Sequence, residues 1–172
     1  MTPPPAVRPA TRADVPSILE IYNEAALHTT ASYDLEPVSL ASRLEWFDEK
    51  VEHGHPVFLA ERGGEVLGWS AYGPFRSKPG YAFTAEHSVY VTAVARGQGL
   101  GRALMVPVIE HARAAGMHVL IGGVDATNAA SIGLHVSLGF EQVAHFRQVG
   151  RKFGRWLDLV FVQLLLEGGE RP

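Results

Sequence analysis

Residues 85–102 read Ala-Glu-His-Ser-Val-Tyr-Val-Thr-Ala-Val-Ala-Arg-Gly-Gln-Gly-Leu-Gly-Arg, an alternating, β-rich run that passes into a glycine-rich bend. Ala85–Ala93 carries the two-residue alternation of a strand. Beyond Arg102 the apolar residues Leu104, Val108, Ile109 and Ala112 recur at helical spacing. A strand therefore turns into a helix across Arg96–Arg102. Gly97, Gly99 and Gly101 let the backbone approach a ligand with no Cβ in the way. The start of a helix aims unpaired amides and the positive end of its dipole at the same point. Together these features describe an anion site suited to a diphosphate. It is not a P-loop, which needs Gly-Lys-Ser/Thr, nor a Rossmann loop, because Arg102 stands where the third glycine of G-x-G-x-x-G belongs. The alternative on spacing alone is a glycine-rich turn that only joins strand to helix.

Working outward, Val7–Pro9 reads as a short edge strand, and Asp14 as the cap of a helix with Ile18, Ile21, Tyr22 and Ala25 on one face. Thr29–Pro37 lacks periodicity and reads as a loop. Ser39 opens a second helix that carries Leu40, Leu44, Phe47 and Val51 and ends before Gly54. Val57–Glu61 and Val66–Tyr72 form a hairpin through Arg62-Gly63-Gly64. The basic turn Phe75–Tyr81 follows. After the glycine bend, Pro107 is expected to kink its helix. Val119–Val124 reads as a strand, Ala129–Leu138 as a helix closed by Gly139, and His145–Leu166 as two β stretches split by Gly154. The order predicts an α/β (α+β) domain over residues 7–167, one mixed sheet with helices on its faces, and flexible ends at 1–6 and 168–172.

The 172 residues suit one domain, with 47% hydrophobic and 19% charged side chains. A net charge of −3 argues against nucleic acid as a partner. The absence of cysteine excludes disulfides, thiolate metal sites and a cysteine nucleophile. Met1–Pro5 lacks the apolar run of a secretory leader, and no stretch reaches the roughly 18 apolar residues of a membrane span. A cytoplasmic protein with no membrane partner is expected. Of the eight histidines, only His53 and His55 form a tight pair, and it lacks a third ligand, so no metal is expected.

Arg96-x-x-Gly99-x-Gly101 after Ser88-Val89-Tyr90-Val91 resembles the coenzyme A loop of the GNAT N-acetyltransferase superfamily. Asn128-Ala-Ala-Ser131, followed by Leu134-His135-x-x-Leu138-Gly139-Phe140, resembles its later cofactor segment. Two further runs are similar to the phosphinothricin and methionine sulfone or sulfoximine acetyltransferase branch. They are Tyr81-x-x-Thr84-x-Glu86-His87-Ser88-Val89-Tyr90-Val91 and Val149-Gly150-x-Lys152-Phe153-Gly154-x-Trp156-Leu157-Asp158. The resemblance spans nearly the whole domain.

The resemblance implies a mostly antiparallel sheet with a splayed strand pair, acetyl-CoA as cosubstrate, and commonly a homodimer. It places the pantetheine on the backbone of Val89, Tyr90 and Val91. The diphosphate falls on Gly97, Gln98, Gly99, Leu100, Gly101 and Arg102, with Asn128 and Ser131 nearby. The acceptor would be a small amine bearing a carboxylate, met by Arg76, Ser77 and Lys78, with Tyr33, Glu86, His87 and Ser88 completing its surroundings. On the residues alone, Glu86 is a base with a pKa raised by burial, an exposed strand residue, or a partner of Arg76; the resemblance favours the base. His135 stands where many superfamily members carry a tyrosine, and is either an acid for the departing thiolate or a satisfied core histidine. Strand alternation puts His87 opposite Glu86 unless a bulge intervenes. The expected reaction is direct acetyl transfer to an amino-acid amine. The alternatives are peptide or protein N-acetylation, and acyl-CoA binding without catalysis.

Overall fold

The computed structural model describes residues 4–166; residues 1–3 and 167–172, on which most of the two expected tails fall, lie outside the described residues. Among the described residues, seven strands form one mixed, mostly antiparallel sheet in the order β1-β2-β3-β4-β5-β7-β6, accompanied by four α-helices. The strands are β1 (Ala6–Pro9), β2 (Val57–Arg62), β3 (Glu65–Pro74), β4 (Thr84–Val91), β5 (Val119–Asp125), β6 (Glu141–Lys152) and β7 (Arg155–Leu165). The helices are α1 (Val15–His28), α2 (Leu40–Glu52), α3 (Leu100–Ala114) and α4 (Ala129–Ser137). Two compact units share these elements. The first comprises the described residues up to Tyr72 together with Ser88–Val108, and the second comprises Gly73–His87 with the described residues from Ile109 onward.

In the first unit β1 and β3 flank β2, both antiparallel to it. Gly63 and Gly64, with φ of 60° and 85°, make the tight turn between β2 and β3. The β2–β3 register jumps from Ala60↔Gly68 to Glu61↔Val66, so Leu67 is the extra residue of a bulge. That bulge sorts the core. Leu59, Trp69 and Ala71 pack with Val15, Ile18 and Ile21 of α1 and Phe47 of α2, whereas Ala60 and Leu67 pack with Ala95, Leu100 and Leu104. Gly68 has no room for a side chain, since a Cβ would stand 2.7 Å from the Tyr90 carbonyl oxygen.

Several local expectations need correction. Asp14 does not cap α1; its carboxylate accepts from the Thr11 amide and from Arg8, closing a 3-10 turn, and Pro16 in the first turn of α1 has no amide hydrogen to offer. Ser39 does cap α2, accepting from the Ser42 amide at 3.1 Å. The inward face of α2 matches the expected one only in part: Phe47 is buried and Leu44 packs against the core, but Leu40 and Val51 are 44% and 65% exposed, while Arg43 is 8% exposed. The Arg43 guanidinium lies 4.2 Å from the Tyr22 ring centre and 4.7 Å from that of Trp46, and these rings shelter its charge. α3 runs from Leu100 to Ala114 with Pro107 inside it, and the buried Ser70 donates to the Leu104 carbonyl at 2.9 Å.

In the second unit β7 lies between β5 and β6, antiparallel to both, and the first residues of β4 run parallel to β5. Gly139, with φ of 93°, closes α4 as expected. Phe153 and Gly154, both left-handed, turn β6 into β7. Among the described residues no helix is long and apolar enough to cross a membrane.

Candidate active site

The glycine bend belongs to the first unit. A 3-10 turn at Ala93–Ala95 leads into it, and Leu100, 2% exposed, plugs the start of α3 into the core. Gly97 and Gly99 adopt φ of 73° and 79°, a region costly for any side chain, and no atom lies within 4 Å of where a Cβ would stand. The space beside them is open. The Ala103 amide bonds to the Gly99 carbonyl at 3.1 Å, so the amides of the first turn precede the helical ladder.

Val89–Val91, the end of β4, lie in the same unit. The Tyr90 ring packs against Trp69 and Tyr22 at centroid distances of 5.0 and 5.5 Å. Burial, with the neighbouring Tyr22, holds the Tyr90 phenol well above its ordinary pKa, so it stays protonated. The Tyr90 ring thus packs against the core, and its hydroxyl donates to the Ala31 carbonyl at 3.5 Å. Tyr33 is half-buried in a loop that is firmly built despite its lack of periodicity. Asn23 bonds both the amide and the carbonyl of Val38, and Tyr22 bonds Ser32 and Asp34.

The second unit carries Glu86, His87 and His135. β4 alternates as a regular strand here: Ala85 and His87 are buried and Glu86 between them is exposed. Partial desolvation nonetheless raises the Glu86 pKa above the usual carboxylate value, and the charge of Arg76 pulls it back down. Arg76, Ser77 and Lys78 are all exposed. The Arg76 guanidinium rests 5.0 Å from the Phe75 ring centre, and that ring is wedged edge-on against Tyr81 and Phe161.

His87 is not beside Glu86. No bulge intervenes, so its ring turns to the opposite face of β4, 6% exposed, and its Nε2 lies 2.8 Å from Nε2 of His135. His135 is 2% exposed, and its Nδ1 lies 2.6 Å from the Ser131 carbonyl oxygen. The carbonyl can only accept, so His135 donates through Nδ1 and accepts at Nε2, and His87 must donate through its Nε2. That leaves His87 Nδ1 as a buried acceptor without a hydrogen-bond partner. Both nitrogens of His135 are thus engaged in the interior, and neither points a proton outward. Gly122 sits directly over His87, and a Cβ there would come within 2.5 Å of Cε1. The paired glycines 122–123 inside β5 were the one signal in the sequence for such a close approach.

Asn128 caps α4 by accepting from the Ser131 amide at 3.1 Å, a bond that does not use its side-chain nitrogen. Ser131 Oγ is 3.5 Å from His135 Nδ1. His53 and His55 stack on one another, and among the described residues no three histidine or carboxylate side chains gather around a point.

Residues 15–140 match the acetyltransferase (GNAT) family. The chain belongs to the GNAT acetyltransferase family. This acetyltransferase is 50% identical over 163 residues to an L-methionine sulfoximine/L-methionine sulfone acetyltransferase of Pseudomonas aeruginosa, covering 94% of this chain and 95% of that one. A phosphinothricin N-acetyltransferase of Alcaligenes faecalis stands further off, at 36% identity over 95% of this chain and 84% of its own length. Among solved structures, yncA of Salmonella typhimurium, held with its cofactor acetyl-CoA, superposes with a TM-score of 0.95 at 46% identity, covering 98% of this acetyltransferase and 97% of that chain. In the present enzyme, left-handed glycines with open space beside them precede a helix whose first amides lie outside the helical ladder.

Proposed function

We propose that this acetyltransferase moves the acetyl group of acetyl-CoA to the α-amine of a small amino acid whose side chain resembles methionine sulfone, methionine sulfoximine or phosphinothricin. The observation that carries the reading is Glu86: a carboxylate on the open face of β4, just ahead of Val89–Val91 in the chain, with its pKa raised by desolvation and moderated by Arg76. In this reading acetyl-CoA supplies the thioester. The backbone of Val89–Val91 and residues 97–102 hold it, the splayed end of β4 presents it, and Asn128 offers its side-chain nitrogen. Arg76, with Ser77 and Lys78 in the same turn, meets the acceptor's carboxylate. Glu86 takes the proton from the acceptor's ammonium, directly or through a water, so that the neutral amine attacks. Tyr33 and Ser88 border the acceptor. His135 and His87 serve as the support beneath β4 rather than as acid and ligand.

The similarity to the Pseudomonas aeruginosa enzyme supports the choice of acceptor, and the exposed cations of the 76–78 turn suit a free carboxylate. The reading includes a cytoplasmic homodimer. Phe153 and Trp156, each 56% exposed at the β6–β7 turn, offer apolar surface to a second copy. Free-thiol release from acetyl-CoA, measured with methionine sulfone, methionine sulfoximine, phosphinothricin and short peptides, tests the function. Turnover with the three amino acids and not with peptides is expected. Preference for peptides would overturn the acceptor assignment, and binding without thiol release for any amine would overturn the reaction.

A further inference from the structure

The loop that reads as a diphosphate site is held by a residue outside its motif. Arg62, the last residue of β2, donates from Nη2 to Oε1 of Gln98 at 2.8 Å. The other end of the same amide, Gln98 Nε2, donates to the Val94 carbonyl at 3.0 Å. Gln98 is thus clamped between the β2–β3 hairpin and the 3-10 turn that enters the loop. It is also the single residue between Gly97 and Gly99, both left-handed. Glycine visits many conformations when nothing restrains it, so a Gly-Gln-Gly bend keeps one shape only if its middle residue is fixed from outside. The clamp does that. The guanidinium is set close: Arg62 Nε is buried without a hydrogen-bond partner, a cost that a residue serving only solubility would not carry.

We propose that Arg62 is a positioning residue for the anion loop: acting through Gln98, it fixes the backbone between Gly97 and Gly99 in the shape that receives the diphosphate of a coenzyme A thioester, and adds positive charge beside it. The inference rests on the reading of residues 97–102 as the diphosphate site. It concerns the cofactor alone and leaves the acceptor's handling untouched.

Steady-state kinetics of Arg62→Met with two acyl donors, acetyl-CoA and acetyl-pantetheine, provide the test; the second donor lacks the nucleotide and diphosphate. The KM for acetyl-CoA is expected to rise about threefold to tenfold, with kcat at saturating donor and the acceptor's KM little changed. Acetyl-pantetheine should serve wild type and variant equally. Gln98→Met should reproduce the effect, and the double variant should lose no more than the worse single one, because the two act as one unit. An unchanged KM for acetyl-CoA, or an equal loss with both donors, would overturn the inference while leaving the loop's assignment standing. A wild-type enzyme indifferent between the two donors would overturn the diphosphate reading itself, and this inference with it. Arg62→Lys, which keeps the charge but not the planar fork, guards against misfolding and should fall between wild type and Arg62→Met.

Discussion

His87 and His135 meet Nε2 to Nε2 at 2.8 Å in the interior of the protein, sharing one hydrogen between two imidazoles. Burial lowers the pKa of both, and for His87 the nearness of His135 lowers it further. The folded state therefore holds them neutral, while the unfolded chain protonates them near the ordinary value of 6.5. Below that value the unfolded chain binds more protons than the folded one, so stability falls as pH falls. Thermal unfolding should show Tm dropping from pH 7 to pH 5. His135→Leu should be less stable at pH 7 by about 1–3 kcal/mol, because it strands the His87 hydrogen. It should also show a shallower decline with acid, and an equal slope in variant and wild type would refute the linkage.

The space over this pair makes a second prediction. A Cβ on Gly122 would lie 2.5 Å from Cε1 and 2.9 Å from Nε2 of His87, whereas one on Gly123 would find its nearest neighbour at 3.5 Å. Adjacent glycines in one strand should thus behave differently. Gly122→Ala is expected to cost about 1–3 kcal/mol through overpacking, and Gly123→Ala to fall within about 0.5 kcal/mol of wild type. Urea unfolding of the two variants decides it.

The features legible in the sequence were those a few neighbouring residues determine. Gly63-Gly64 turns the hairpin, Ser39 caps α2 and Gly139 ends α4, because each needs only its own φ or one nearby amide. The left-handed turn at Gly97 and Gly99 was legible for the same reason. What could not be read depends on partners distant in the chain. Arg43 is buried in the face where Leu40 and Val51 were expected, because Tyr22 from another helix covers its charge. Glu86 and His87 could be separated by alternation, yet nothing local announced that His135, 48 residues on, would engage His87. Arg62 looked like part of a turn, and only the folded chain brings it to Gln98.

The bend itself can be tested through its backbone. With φ of 73° and 79°, Gly97 and Gly99 lose little to crowding when a methyl is added but about 1–2 kcal/mol to conformation. Gly97→Ala and Gly99→Ala should therefore weaken acetyl-CoA binding several-fold while the acceptor's KM stays put. Gly80→Ala, at a glycine with neither a left-handed φ nor a neighbour within 4 Å, is the control and should change nothing. Isothermal titration with acetyl-CoA reads the difference, and equal affinity in all three variants would remove the loop from the cofactor site.

The Glu86 carboxyl and the Arg76 charge oppose each other in setting one pKa, and the sign of each effect can be followed through the pH profile. A base works deprotonated, so kcat/KM should rise with pH through the Glu86 pKa, which desolvation holds above the ordinary value of 4.5. Arg76 lowers that pKa, so Arg76→Met should move the acid limb to higher pH, in addition to raising the acceptor's KM through loss of its carboxylate partner. Glu86→Gln should abolish the limb and reduce kcat by about 10²–10⁴-fold with acetyl-CoA binding intact. If Arg76→Met raised KM but left the limb in place, the limb would belong to another group. If Glu86→Gln kept the wild-type kcat between pH 6 and about 9, the amine would be losing its proton to solvent instead.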